Sequence, residues 1–146
     1  MYNGLLHAHS GLRYVVLILI VLVIFQSFTA WRKKHKFDRT HKVLANMSAG
    51  MMVVQFLIGV VLYFLSPKVL FDAETMKSTI LRFFTLEHPL LMLISCMIIV
   101  HGVSKAKAYS NYDTHKQLFW SHLIGLVLII ISIPWPFRSS LGAGWF

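Results

Sequence analysis

Eight histidines are the chemically distinctive content of a chain with only five acidic residues and one cysteine. His7, His9, His88, His101 and His122, with Arg13 and Glu87, fall in or beside long apolar runs. At membrane depth such side chains are costly and tend to serve a function. A proton pump would call for a ladder of Asp or Glu at these depths, and none is present. Haem is the better match. Its iron accepts neutral imidazole Nε2 from opposing helices, and its macrocycle suits a lining of leucine and phenylalanine. His9, His88, His101 and His122 are the candidate iron ligands on this reading. A bare metal ion is disfavoured because cysteine and carboxylate ligands are nearly lacking.

The spacings constrain how these residues could cooperate. His9 and Arg13 are four apart and share one helix face, so Arg13 could offset a propionate beside a haem held by His9. Arg82 stands at a similar level. An outer haem would lie between His9 (or His7) and His88, although His9 sits about six residues further out, roughly 9 Å. Pro89 directly after His88 is expected to distort its helix. His101 and His122 match in depth but belong to consecutive helices. His88 and His101 are ~20 Å apart along one helix and about 140° apart around it, so they cannot serve one crevice. One or two haems fit these constraints. Glu87 is expected to pair with Arg13 or Arg82. His35, His41 and His115 read as solvated loop residues. Met51, Met52 and Cys96 read as packing residues.

The elements that must hold these residues are four helices. Hydrophobic residues make up 57% of the 146 residues and charged ones 13%, against roughly 25% charged in soluble domains. The apolar runs Leu12 to Trp31, Val43 to Leu65, Leu90 to Val103 and Leu118 to Ile133 approach the ~20 residues that cross ~30 Å of hydrocarbon. They are apolar on every side, which argues against spanning strands. The expected fold is an all-α, four-helix up-down bundle in one domain (1–146), with helices near 5–31, 43–65, 79–107 and 116–133. The first run reads as a retained helix, since no Lys or Arg precedes Arg13 and its length exceeds a signal-peptide core. Ser66-Pro67 and Pro134-Trp135-Pro136 are stops. The tail from Arg138 to Trp145-Phe146 is expected to lie on the membrane surface or on a partner.

A net charge of +9 would suit nucleic acid, but its placement argues otherwise. Arg32, Lys33, Lys34, Lys36, Arg39 and Lys42 crowd the first connection, and Lys105, Lys107 and Lys116 the third. The remaining five cations, Arg13, Lys68, Lys77, Arg82 and Arg138, lie towards the other side. This asymmetry puts the first and third connections in the cytoplasm and both ends outside. The same cations would also suit anionic lipid. Ala45, Ser48, Ala49 and Gly50, and the Ser121/Gly125 pair, are expected at helix contacts. Leu57-Ile58-Gly59 echoes Leu123-Ile124-Gly125, and Leu12-Arg13-Tyr14 echoes Leu81-Arg82-Phe83, a hint of two related hairpins.

The opening Leu5-Leu6-His7-Ala8-His9-Ser10-Gly11-Leu12-Arg13-Tyr14 resembles small four-helix bacterial membrane proteins of cytochrome b-like type. So do Gln55-Phe56-Leu57-Ile58-Gly59, Arg82-Phe83-Phe84-Thr85-Leu86-Glu87-His88 and Ile133-Pro134-Trp135-Pro136. Gln55-x-x-x-Gly59 is also similar to a helix of the haem A synthase family, whose Glu-x-x-His-Arg signature this chain lacks. The resemblance implies haem b bound through His9 and His88 and electron transfer, with quinol a candidate source. His101 and His122 rest on position alone. Such small loops imply work beside other membrane subunits. The rival expectation is an accessory subunit without a cofactor; a transporter is disfavoured by the lack of broken helices and paired carboxylates.

Overall fold

The computed structural model describes residues 2–73, 75–108 and 113–141. Its helices are α1 (Tyr2–Arg32), α2 (Arg39–Leu65), the short α3 (Thr79–Arg82), a π-helical turn (Phe83–Glu87), α4 (His88–Ala108) and α5 (Asp113–Ser132). A 3-10 turn, Ser139–Leu141, follows. The segment from α3 through α4 forms one span, so four helices are long and apolar enough to cross a membrane. No strand occurs among the described residues.

α1 packs on α2 and α5, and α4 packs on α5 and α2. The spans therefore form a square with α1 and α4 diagonal, as expected of an up-down bundle. One end carries the α1–α2 and α4–α5 connections and is termed here the basic end. The other carries the α2–α3 loop and both terminal segments.

The helices outrun the apolar runs. α2 begins at Arg39 because Asp38 caps it, its carboxylate accepting from the His41 amide at 3.0 Å and facing the His41 ring Nδ1 at 2.6 Å. Such a cap satisfies donors that the first helical turn leaves open. α5 stops at Ser132 before Pro134, and its last carbonyls are answered locally. Trp135 Nε1 donates to Ile130 O at 2.9 Å and Arg138 donates to Ile131 O at 3.0 Å. Leu141 is buried, and the 3-10 turn that ends on it lies against α3. Glu74 and the tail beyond Leu141, including Trp145 and Phe146, lie outside the described residues.

Polarity is arranged inside out. Phe25, Phe64 and Ile18 stand 60% or more exposed on the outer surface, while Ser27, Ser48, Gln55, Ser95, His122 and Ser132 are buried. Lipid is the solvent this pattern suits, since tails compete for apolar faces and polar groups turn inward. Two apolar clusters fill the rest. One is built on Ile20, Met52, Cys96 and Ile99, the other on Val23, Phe37, Val103 and Leu118. Met52 and Cys96 thus pack as the sequence suggested. Small residues set the closest approaches. A β-carbon on Gly102 would meet Ser121 Oγ, and one on Gly125 would stand 2.7 Å from Ile99. Ala45 and Ser48 are buried, whereas Gly50 is exposed with nothing near it.

Candidate functional site

The third span bends where the sequence requires it. Pro89 has no N–H, so the Thr85 carbonyl one turn earlier loses its helical donor. Tyr63 of α2 supplies the replacement, its hydroxyl donating to Thr85 O at 3.0 Å. The helix widens just before this point, and the His88 amide reaches back five residues to Phe83 O. Such π-turns are inserted at the cost of regular pairing and often mark functional positions. Here the turn delivers His88.

The His88 ring then crosses to α5, and Nδ1 donates to the Ser132 carbonyl at 2.7 Å. A carbonyl can only accept, so the proton is on Nδ1 and Nε2 keeps its lone pair. Phe83 lies against the ring, centroids 5.8 Å apart, and Arg138 covers the far side of Phe83 at 5.0 Å.

On the diagonal helix, His9 is within electrostatic reach of His88, and Arg13 is within reach of both. Counted from the helix ends at the basic end, Arg32 and Ala108, rather than from the ends of the apolar runs, the depth offset between the two histidines is about three residues, ~5 Å at the α-helical rise. α2 holds His9 in place through two residues one turn apart. Gln55 Nε2 donates to His9 O at 2.8 Å, and Gly59 lies against the ring. His9 Nδ1 and Gln55 Oε1 are buried with no hydrogen-bond partner among the described residues.

Glu87 pairs with Arg82, Nε to Oε1 at 2.7 Å, one of the two partners expected. That engages Arg82 and leaves Arg13 as the cation beside the two imidazoles. His7 is exposed in the first turns of α1.

The other two candidate ligands are not brought together. His101 is exposed on the outer surface of α4, whereas His122 is fully enclosed, its Nδ1 donating to Leu118 O at 2.9 Å. His88 points inward to α5 while His101 points out, as their angular spacing requires.

A solvated-loop reading holds for His35, which is exposed, but not for His115. That residue lies in the first turn of α5 and is fully buried, its ring 4.6 Å from His41 and 5.4 Å from Phe37. Its position was missed because hydropathy marks where a helix enters hydrocarbon, not where it begins. Asp113 and Asp38, acidic residues at helix starts, were the available signals.

The donor set of the His9–His88 site tests which group it fits. No three of His, Cys, Asp and Glu gather into a metal-holding group among the described residues. Two imidazoles on diagonal helices, one with Nε2 left open, fit an iron that brings its own four equatorial nitrogens. A buried ring nitrogen, His9 Nδ1, with no hydrogen-bond partner among the described residues points the same way. No family model, no curated protein and no solved structure matches the chain.

Proposed function

We propose that this chain is a haem b-binding electron-transfer protein of a bacterial cytoplasmic membrane, its basic end facing the cytoplasm. The observation that carries the reading is the convergence of His9 and His88 from diagonal helices, beside Arg13, at the end holding both terminal segments. His9 and His88 would be the axial ligands and Arg13 the counter-charge to a propionate. A bound haem b supplies a reversible one-electron iron couple. The Ser132 carbonyl fixes the His88 tautomer and ring plane, as outer partners of ligating imidazoles do. Gln55 and Gly59 seat His9 against α2. The Arg82–Glu87 pair keeps a free carboxylate away from the site. The resemblance of the Leu5–Tyr14 and Arg82–His88 stretches to cytochrome b-like proteins supports the same assignment. The separation of His101 from His122 favours one haem over two.

Absorption spectroscopy of the purified chain tests this. The expected result is a Soret band that shifts on dithionite, with an α-band near about 560 nm as for bis-imidazole iron. His88→Ala should abolish the band and His101→Ala should leave it. A colourless preparation that is folded and membrane-inserted would overturn the reading in favour of a cofactor-free accessory subunit.

A further inference from the structure

At the basic end, far from the His9–His88 site, four side chains form a series of increasing burial. The Asp38 carboxylate is 60% exposed. His41, bonded to it through Nδ1 at 2.6 Å, is 14% exposed. The His115 ring, edge-on to His41 with centroids 4.6 Å apart, is fully buried. His122, further along the same helix, is also fully buried. Seven residues separate the last two, which places them on one face of α5 about 10 Å apart along its axis.

The buried members are polar atoms without protein partners. The backbone of His35 and Lys36 runs beside His115, yet neither ring nitrogen meets hydrogen-bond geometry. His122 uses Nδ1 on Leu118 O, and its Nε2 has no partner. Ser48 Oγ of α2 is likewise buried and unpartnered. It stands nine residues into its helix from the basic end, as His122 does. Isolated polar groups in a lipid-embedded bundle cost several kcal/mol each, and ordered water is the usual partner. The surface end opens on a cleft of ≈250 Å³ lined by residues including Gln26, Thr29, Lys33, Asp38 and His41.

We propose that Asp38, His41, His115 and His122 form a proton-uptake path from the basic end into the buried core of the bundle. Imidazole suits the task because it accepts a proton at one nitrogen while releasing another from the second. The Asp38–His41 pair takes up a proton from water in the cleft, giving an imidazolium whose Nδ1–H stays on the Asp38 carboxylate. His41 releases its Nε2 proton towards the His115 ring, so one proton enters and one moves on. Three waters, joined by four hydrogen bonds of ~2.8 Å, would span the ~10 Å between His115 and His122. The acceptor there is His122 Nε2, with Ser48 at the same depth able to anchor the last water. The path does not depend on the haem reading, since its residues lie at the opposite end and carry no iron ligand of that site.

Water-edited nitrogen-15 NMR of histidine-labelled full-length protein in lipid bilayers tests it. Polarisation should pass from bulk water to the ring nitrogens of His115 and His122. His41→Leu should slow that transfer at both rings about tenfold, because leucine cannot relay a proton. His41→Gln should show a lesser loss, and His9 should be unaffected in either variant. A wild-type protein with no transfer to His115 and His122 would overturn the path. So would undiminished transfer in His41→Leu. The His9 signal and the melting temperature of each variant distinguish loss of the relay from loss of the fold.

Discussion

The His9 imidazole lies against the backbone of Gly59, so closely that a β-carbon on Gly59 would stand 3.1 Å from His9 Cε1. One turn earlier, Gln55 holds the His9 carbonyl. α2 therefore positions His9 by a small residue and an amide spaced four apart. Gly59→Ala asks His9 to yield by a few tenths of an ångström, a cost offset by the ~1 kcal/mol gain in helix propensity. Gly59→Val should overpack the contact, destabilising the protein by roughly 1–3 kcal/mol. If His9 ligates iron, Gly59→Val should also weaken the Soret band. Gly50→Ala, with nothing within 4 Å of its added carbon, is the control: it should leave the spectrum unchanged and raise melting only by the propensity gain. Equal behaviour of Gly59→Val and Gly50→Ala would refute the contact.

Tyr63 and Pro89 should be energetically coupled through the Thr85 carbonyl. Tyr63→Phe removes the hydroxyl donor to that oxygen, leaving a part-buried acceptor short of a partner at about 1 kcal/mol. Pro89→Ala restores a backbone N–H one turn away. In that background Tyr63→Phe should cost much less. A double-mutant cycle by thermal or denaturant melting reads the difference. Additive losses would show that the π-turn has a different cause.

The bundle itself was legible because four apolar runs of membrane length admit few other folds, and the proline stops marked two ends well. The Pro89 distortion and the Arg82–Glu87 pair could also be read, since each depends on neighbours in sequence. What escaped was whatever depends on helices extending past the lipid. Dense lysines around Phe37 resemble a solvated connection, yet the Asp38 cap starts α2 at Arg39 and brings His41 against His115. The convergence of His9 with His88 was expected, but its supports were not. The Ser132 carbonyl and Gly59 carry no signal until the diagonal arrangement is known. The echo between Gly59 and Gly125 acquires a physical meaning here. Each glycine admits a side chain of the preceding span in its hairpin, His9 in one and Ile99 in the other.

Asp38 makes the α2 start sensitive to acid. The His41 amide first, and then its ring, hold the exposed carboxyl below its usual range. The sign follows from linkage. A group whose folded pKa is depressed contributes stability above its unfolded pKa and loses it as pH falls through the folded value. Stability should therefore be level from neutral pH down to the ordinary carboxylate range near 4 and drop below it. Asp38→Asn, still a good cap, should flatten that part of the profile. Melting temperature against pH for both proteins is the measurement, and parallel curves would exclude Asp38 as the source.

The α4–α5 contact should be the least tolerant of added volume. A β-carbon on Gly102 would overlap the Ser121 side chain, and one on Gly125 would press Ile99 and approach Ser95 O at 3.8 Å. Both glycines are buried, so the helices must separate to accept alanine. Overpacking of this kind costs about 1–3 kcal/mol, well above the propensity gain. The Gly102 clash is with one side chain, which makes it reversible. Ser121→Gly removes the obstructing atoms, and Gly102→Ala with Ser121→Gly should recover most of the loss. Gly125→Ala should not recover with Ser121→Gly, because its neighbour is Ile99. Ser121 bonds within its own helix, to Leu118 O at 3.1 Å and His122 Nδ1 at 3.3 Å, so its removal alone costs little beyond helix propensity. If Gly102→Ala were as stable as the parent chain, α4 and α5 would have to pack less closely than this contact requires.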